Sequence, residues 1–367
     1  MTPLRVVIAP DSFKGSIGAA DAAAALADGW RRVRPDDDLV RVPLADGGEG
    51  TLQVLAASDP AGRWHRARVT GPAGAAVTSR WFELHDGTAC IELAQASGLP
   101  LMPAPDPLGA QTTGTGELIA RALGTGARRI VLGLGGVAST DGGSGALTAL
   151  GARFLDAAGR QLPPGGGALA GLATADLTGL RPPPPGGAAC LTDVRSPLLG
   201  PRGAAAVFAP QKGADAAQVA ILEAGLARLA DALGGDPGAE GAGAAGGTGY
   251  GFAAAWGAQI TPGAAELCRI VGLDRELSRA DLVLTGEGQY DVTSAGGKIT
   301  GAVLAAAAQA GVRAALVAGS IAADPPPGTV AAVSLATLAG GSAGAIAHPR
   351  RWLRAAGQRL AREVGGG

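Results

Sequence analysis

Four separate stretches of the chain repeat one pattern: an apolar run of strand length, then a loop that carries a carboxylate among glycines or other small residues. They are RVVIAP-DSFKGS from Arg5, VRVPL-ADGGEGT from Val40, AACLT-DVRSPLLG from Ala188 and ADLVLT-GEGQYD from Ala280. Unbroken apolar runs of this length suit parallel strands covered on both faces, and open α/β sheets bind ligands at the carboxyl ends of their strands. The pattern therefore constrains the chain to an α/β fold that delivers acids to strand ends. Glycines beside those acids let backbone amides approach a ligand, so the expected ligand is anionic and travels with a metal. A phosphorylated nucleotide with magnesium fits that description.

At 367 residues the chain exceeds one ordinary core, and two domains are expected. The βα rhythm of the first 60 or so residues returns after Ala280, while Arg63–Leu93 is rich in alternating β-like runs. This predicts one α/β domain built from residues 1–70 and 280–367, with a second α/β domain, 71–279, inserted between them. The glycine-rich run Gly234–Gly251 reads as a lid, a hinge or a linker. Basic and acidic residues number 30 and 31, which gives no reason to expect nucleic acid or an anionic membrane as partner. Cys90, Cys190 and Cys268 stand alone, without the spacing of a zinc site. No apolar run approaches the ~20 residues of a membrane span, and no signal-peptide-like region opens the chain, so a cytoplasmic location is expected.

Phosphoryl transfer requires positioned phosphates, a metal to spread charge, and a group that orients the attacking hydroxyl. The strand-end loops supply candidates for each. DSFKGS offers Asp11, Ser12 and Lys14, with Ser16 placed to cap the next helix. ADGGEGT offers Asp46 and Glu49 as hard oxygen ligands for magnesium, and Asp141 of GLGGVASTDGGSG is a third metal candidate. Within that central loop Gly135 and Gly136 are candidates to cradle phosphate. Its GxGxxA (Gly133, Gly135, Ala138) also matches a dinucleotide fingerprint, which keeps a nicotinamide-dependent dehydrogenase as an alternative. TTGTGEL (Thr112–Leu118) reads as a helix cap. Lys212 of PQKGA and Lys298 of GGK are further phosphate candidates, and Glu287 a substrate-binding one. Asp193 and Asp291 are the candidate catalytic acids, together with Lys14. His65, His85 and His348 lie outside these loops, and no Walker, HRD or DFG motif is present.

In order along the chain, APDSFKGS, PLADGGEGT, IELAQASGL, TTGTGEL, GLGGVASTDGG, LGARFLDAAG, TDVRSPLLG, PQKGA and TGEGQYD resemble the class I glycerate kinases, from about Val6 to Val317. That resemblance implies a flavodoxin-like domain built from both chain ends and a second α/β domain inserted in the middle. It also implies ATP and Mg2+, with D-glycerate as acceptor and 2-phosphoglycerate and ADP as products; small molecules are the expected partners, and a homodimer is left open. Asp11, Ser12, Lys14, Asp46, Glu49, Asp141, Asp193, Lys212, Glu287, Asp291 and Lys298 fall on matching motif positions. The chain departs from the family pattern at Val137 and Thr140 (serine and asparagine there), at Ser196 (asparagine), at Gln289 and Tyr290 (Arg-Ile), and at Thr293 and Ser294 (Gln-Thr). A neutral glutamine cannot pair with a carboxylate or phosphate as arginine does, so substrate choice is where these departures act. They leave open a related hydroxy acid as substrate, or a metabolite-binding protein without catalysis.

Overall fold

The computed structural model describes residues 2–13, 15–292, 294 and 299–365. Lys14 and Lys298 therefore lie outside the described residues. In chain order the strands are β1 (Arg5–Pro10), β2 (Asp38–Arg41), β3 (Arg63–Thr70), β4 (Ala76–Glu83), β5 (Thr88–Glu92), β6 (Arg129–Gly133), β7 (Arg153–Leu155), β8 (Thr174–Asp176), β9 (Ala188–Leu191), β10 (Gln259–Thr261), β11 (Leu282–Tyr290), β12 (Arg313–Ile321) and β13 (Thr329–Ser334).

The chain divides into two compact units. The first holds Met1–Asp46, Gln53–Pro60 and Ala264–Gly367, and the second holds Gly47–Leu52 and Ala61–Gly263. β3 goes with the second unit because each of its residues pairs with β4. Ala264, Leu273 and Leu277 go with the first because they enter one of its cores.

The first unit is a parallel sheet in the order β13-β12-β11-β1-β2. Counted within the unit this is the 2-1-3-4-5 order of flavodoxin-like folds, whose ligands bind where the strand order reverses. Here that point lies between β1 and β11. The apolar runs explain the layers. Val6, Ile8, Leu282 and Leu284 pack on one face with Leu26, Trp30, Leu353 and Leu360, while Val7, Ala9, Val283 and Leu316 pack on the other with Ile299, Val303 and Leu277. Successive residues point to opposite faces, so a strand covered twice must be apolar throughout. On the first face the helices Ala19–Arg31 and Pro349–Gly365 pack closely: a Cβ on Gly29 would lie 2.1 Å from the Arg354 carbonyl oxygen.

The second unit carries the sheet β10-β9-β6-β5-β4-β3, parallel from β10 to β5 and antiparallel from β5 to β3, and the small hairpin-like pair β7-β8. Its core joins Ile91, Ile130, Leu132 and Cys190 of the sheet to Leu118, Leu222, Leu226 and Phe252 of the helices.

Gly241–Gly251, expected as part of a lid, hinge or linker, belongs to this core. Nearly all of these residues are buried, and they open the helix Ala244–Trp256, which is kinked at Ala245–Gly247. The glycines are there because neighbouring backbone is too close for a side chain. A Cβ on Gly246 would lie 2.2 Å from Ser139 O, and one on Gly251 would lie 2.0 Å from Gly142 O.

Candidate active site

In the first unit, the carboxyl edge of the sheet collects acids where the strand order reverses. Pro10 of β1 faces Gly286 of β11, and the Asp11 N–H donates to the Gly286 carbonyl at 2.8 Å, so Asp11 follows directly on the paired strands. Its Oδ1 accepts the Ser12 N–H at 2.6 Å. Glu287, the next residue of β11, is buried. Beyond β2 the Leu44 N–H donates to Pro10 O at 3.0 Å, carrying the chain along β1 to Asp46, which is half-buried. Thus Asp11, Ser12, Asp46 and Glu287 share one edge.

β11 runs five residues past Thr285, to Tyr290, instead of ending before the loop. Gly286 makes this extension possible, since a Cβ there would lie 1.8 Å from Val317 O. Asp291 then sits in a tight turn. Its N–H donates to Ser294 Oγ at 3.1 Å, and its Oδ2 accepts from Gln289 Nε2 at 3.4 Å. The Gln289 and Ser294 departures therefore both touch the candidate catalytic acid. Ser16, expected as a helix cap, instead donates to Phe13 O; the helix begins at Ala19 with Gly18 before it.

In the second unit the central loop after β6 is packed against the chain's own backbone. A Cβ on Gly133 would lie 2.5 Å from Gly47 O, and one on Gly135 would lie 2.7 Å from Gly48 Cα. The two glycines of the dinucleotide-like fingerprint thus admit the Gly47–Glu49 segment. Gly136 has φ +72° and its carbonyl accepts from Leu99 N–H. Glu49 is exposed.

Asp141, expected as a metal ligand, is fully buried with both oxygens engaged by the protein. Oδ2 accepts from Thr112 N (2.9 Å), Thr112 Oγ1 (2.7 Å) and Gly145 N (3.3 Å), and Oδ1 accepts from Gly143 N (3.2 Å). Thr112, expected only as a cap, is its partner. Lys212, expected as a phosphate ligand, is 5% exposed, and its ammonium donates to Ser139 O and, at 3.4 Å, to Thr140 Oγ1. Burial pushes this ammonium down to about 8, and the nearby Asp141 charge acts in the opposite direction.

Asp193 is exposed, not buried as a strand-end acid would be. β9 ends at Leu191, and Asp193 lies two residues on, its Oδ1 accepting from Gly263 N at 2.9 Å. Sequence reasoning missed Glu92, the last residue of β5, which is 2% exposed. Its Oε1 accepts from Leu52 N at 2.9 Å and its Oε2 from Gln95 Nε2 at 3.1 Å, which fastens the end of the GGEGT segment to the sheet. Burial raises its carboxyl above the ordinary range, with the Glu49 charge adding to the effect against the hydrogen bonds it accepts. The signal was present in IELA, an apolar strand closed by an acid, but no glycine follows it.

Among the described residues, no helix is long and apolar enough to cross a membrane. The family model of the glycerate kinase family matches residues 6–365. A glycerate kinase of Bacillus subtilis is 43% identical over 88% of this chain and 86% of its own length. A glycerate 2-kinase of Escherichia coli K12 is also 43% identical, over 81% and 80%. The crystal structure of a protein described as glycerate kinase 2 from Salmonella typhimurium LT2 superposes with a TM-score of 0.88 at 36% identity, covering 100% of this chain and 99% of that one. With a match that spans both units, the chain belongs to the glycerate kinase family and is a kinase.

Proposed function

We propose that the protein transfers the γ-phosphoryl group of ATP to the 2-hydroxyl of D-glycerate, yielding 2-phosphoglycerate and ADP, as a cytoplasmic enzyme of small-molecule substrates that can work as a homodimer. The observation that supports this reading most is the set Asp11, Ser12, Asp46 and Glu287 at the strand-order reversal of a flavodoxin-like sheet. Polar groups gather there at the carboxyl edge where such folds take phosphorylated ligands.

The hydroxyl oxygen of glycerate forms the new P–O bond as the bond from the γ-phosphorus to ADP breaks, and the hydroxyl proton passes to a carboxylate. Asp193 and Asp291 are the two candidates for that carboxylate. Lys14 and Lys298 neutralise phosphate charge. Ser12, Gly135, Gly136 and Glu287 hold substrate and phosphate through hydroxyl, amide and carboxylate contacts. Lys212 is left out of the phosphate set because its ammonium is buried and two of its three donors are held by Ser139 and Thr140.

Magnesium that accompanies a nucleotide takes most of its oxygens from phosphate and water, so one or two carboxylates suffice. No group of three or more His, Cys, Asp or Glu able to hold a metal occurs among the described residues, and Asp46 and Glu49 fit the lighter requirement. When bound, the ion spreads the phosphoryl charge. Asp141, its oxygens committed to Thr112, Gly143 and Gly145, anchors the loop instead.

Asp193→Asn and Asp291→Asn divide the base role. The variant that lacks the base loses about 10²- to 10⁴-fold in kcat while keeping the wild-type circular dichroism spectrum. Near-normal turnover in both variants would remove the assignment.

A further inference from the structure

We infer that Lys212 is a positioning residue of the central loop, acting through the backbone of Ser139 and not on a phosphate. The inference rests on the kinase reading above, since it makes the 135–145 loop part of the machinery.

An ammonium buried without a carboxylate in ion-pair contact is costly, even with the Asp141 charge nearby, and proteins rarely keep one without a use. No carboxylate lies within ion-pair distance of Lys212 among the described residues; its acceptors are the Ser139 carbonyl and the Thr140 hydroxyl. Lys212 ends the short 3-10 helix Pro210–Lys212, which follows the helix Ala204–Phe208. The ammonium thus ties that segment to the loop at residues 139 and 140. One residue further on, Asp141 ties the same loop to Thr112, at the start of the helix Thr113–Gly124. From a third side the Gly246 backbone comes so close that a Cβ there would lie 2.2 Å from Ser139 O, and Gly142 N donates to Gly246 O at 3.0 Å.

Residues 139–142 are thereby held by three separate segments, with Ser139, Thr140 and Asp141 all fully buried. Ser139 Oγ is itself buried without a hydrogen-bond partner, so it is the carbonyl of Ser139, not its hydroxyl, that fastens the loop. Two of the ammonium's three N–H donors are committed to Ser139 O and Thr140 Oγ1, and a lysine that swung away to a ligand phosphate would orphan the buried Ser139 carbonyl. As a fixed donor it orients the loop that ends in the Gly142–Gly145 turn. The departure at Thr140 belongs to the same device, because the threonine supplies the lysine's second acceptor.

The test compares Lys212→Met with the wild-type enzyme in three measurements: amide hydrogen exchange of residues 137–145 without ligand, ATP affinity by calorimetry, and steady-state kinetics with ATP and D-glycerate. Methionine fills the same space without a donor. The expected result is exchange at least tenfold faster in the loop, kcat at least tenfold lower and ATP affinity within threefold of wild type. Unchanged loop exchange with ATP affinity weakened tenfold or more would make Lys212 a direct phosphate ligand and overturn the inference. Unchanged exchange with unchanged kcat would overturn it as well. If Lys212→Met does not fold, Lys212→Leu, which also lacks a donor, carries the exchange measurement under the same criteria. A wild-type enzyme without D-glycerate-dependent turnover would defeat the kinase reading alone, because loop exchange is read without substrate.

Discussion

Asp141→Ala tests whether the carboxylate at the centre of the glycine loop is a structural acceptor. The substitution leaves three amides, of Thr112, Gly143 and Gly145, and the Thr112 hydroxyl without their acceptor, all in a fully buried site. Each orphaned buried donor costs about 1–3 kcal/mol, so even the low end for all four sums to ~4 kcal/mol. That is a large part of the ~5–15 kcal/mol that stabilises a typical domain. In a unit of this size each kcal/mol moves the midpoint by about 2–4 °C, so the second unit's thermal transition should fall by roughly 8–16 °C. Asp141→Asn, which keeps one acceptor oxygen, should fall by less. The assay is thermal unfolding followed by circular dichroism. A midpoint for Asp141→Ala within about 2 °C of wild type, with turnover abolished, would refute the reasoning and assign the carboxylate to metal or substrate.

Asp37 forms a buried group with Arg34, the Trp30 indole N–H and the Leu4 N–H. Burial acts to raise its carboxyl, but the bonds from Arg34, Leu4 and Trp30 hold it below the ordinary range. Its contribution is therefore present above the usual aspartate value and is lost as pH falls through the depressed one. Asp37→Asn should lower neutral-pH stability by about 1–3 kcal/mol through the weakened bonds to Arg34, which keeps its bond to Thr2 O, and should flatten the acid side of the stability–pH curve measured by urea unfolding. Gly246→Ala, at φ +64° with its Cβ 2.2 Å from Ser139 O, should destabilise by more than ~2 kcal/mol. Gly124→Ala, with open space at the end of its helix, should be neutral or up to about 1 kcal/mol stabilising in the same thermal assay.

Much of the fold is legible because its strands are covered twice. Val6 to Ala9 must all be apolar when alternate residues enter different cores, and the run announces this. The misreading of Gly241–Gly251 has a physical cause. A glycine that supplies freedom and a glycine that admits a neighbouring backbone look alike in a sequence; at Gly251 it is the neighbour that matters, and at Gly246 the neighbour together with a φ of +64°. Asp141 misleads in a related way, since the glycines around it donate their amides to the acid itself. Lys212 reads as a phosphate candidate because PQKGA shows nothing of the Ser139 carbonyl, 73 residues away in the chain. Glu92 is hidden because its partner Leu52 is 40 residues distant and its own motif lacks a glycine loop. The strand-edge positions of Asp11, Asp46 and Glu287, in contrast, are legible because each follows from the strand that precedes it.

The most direct test of the central claim is ATP consumption by the purified protein with magnesium and D-glycerate, with L-glycerate and tartronate in parallel and phosphorus–proton NMR of the product. The account predicts ADP formed with D-glycerate in equal amount to a phosphomonoester whose phosphorus couples to the proton on carbon 2. The absence of D-glycerate-dependent ADP, with turnover of a different hydroxy acid or of none, would contradict it.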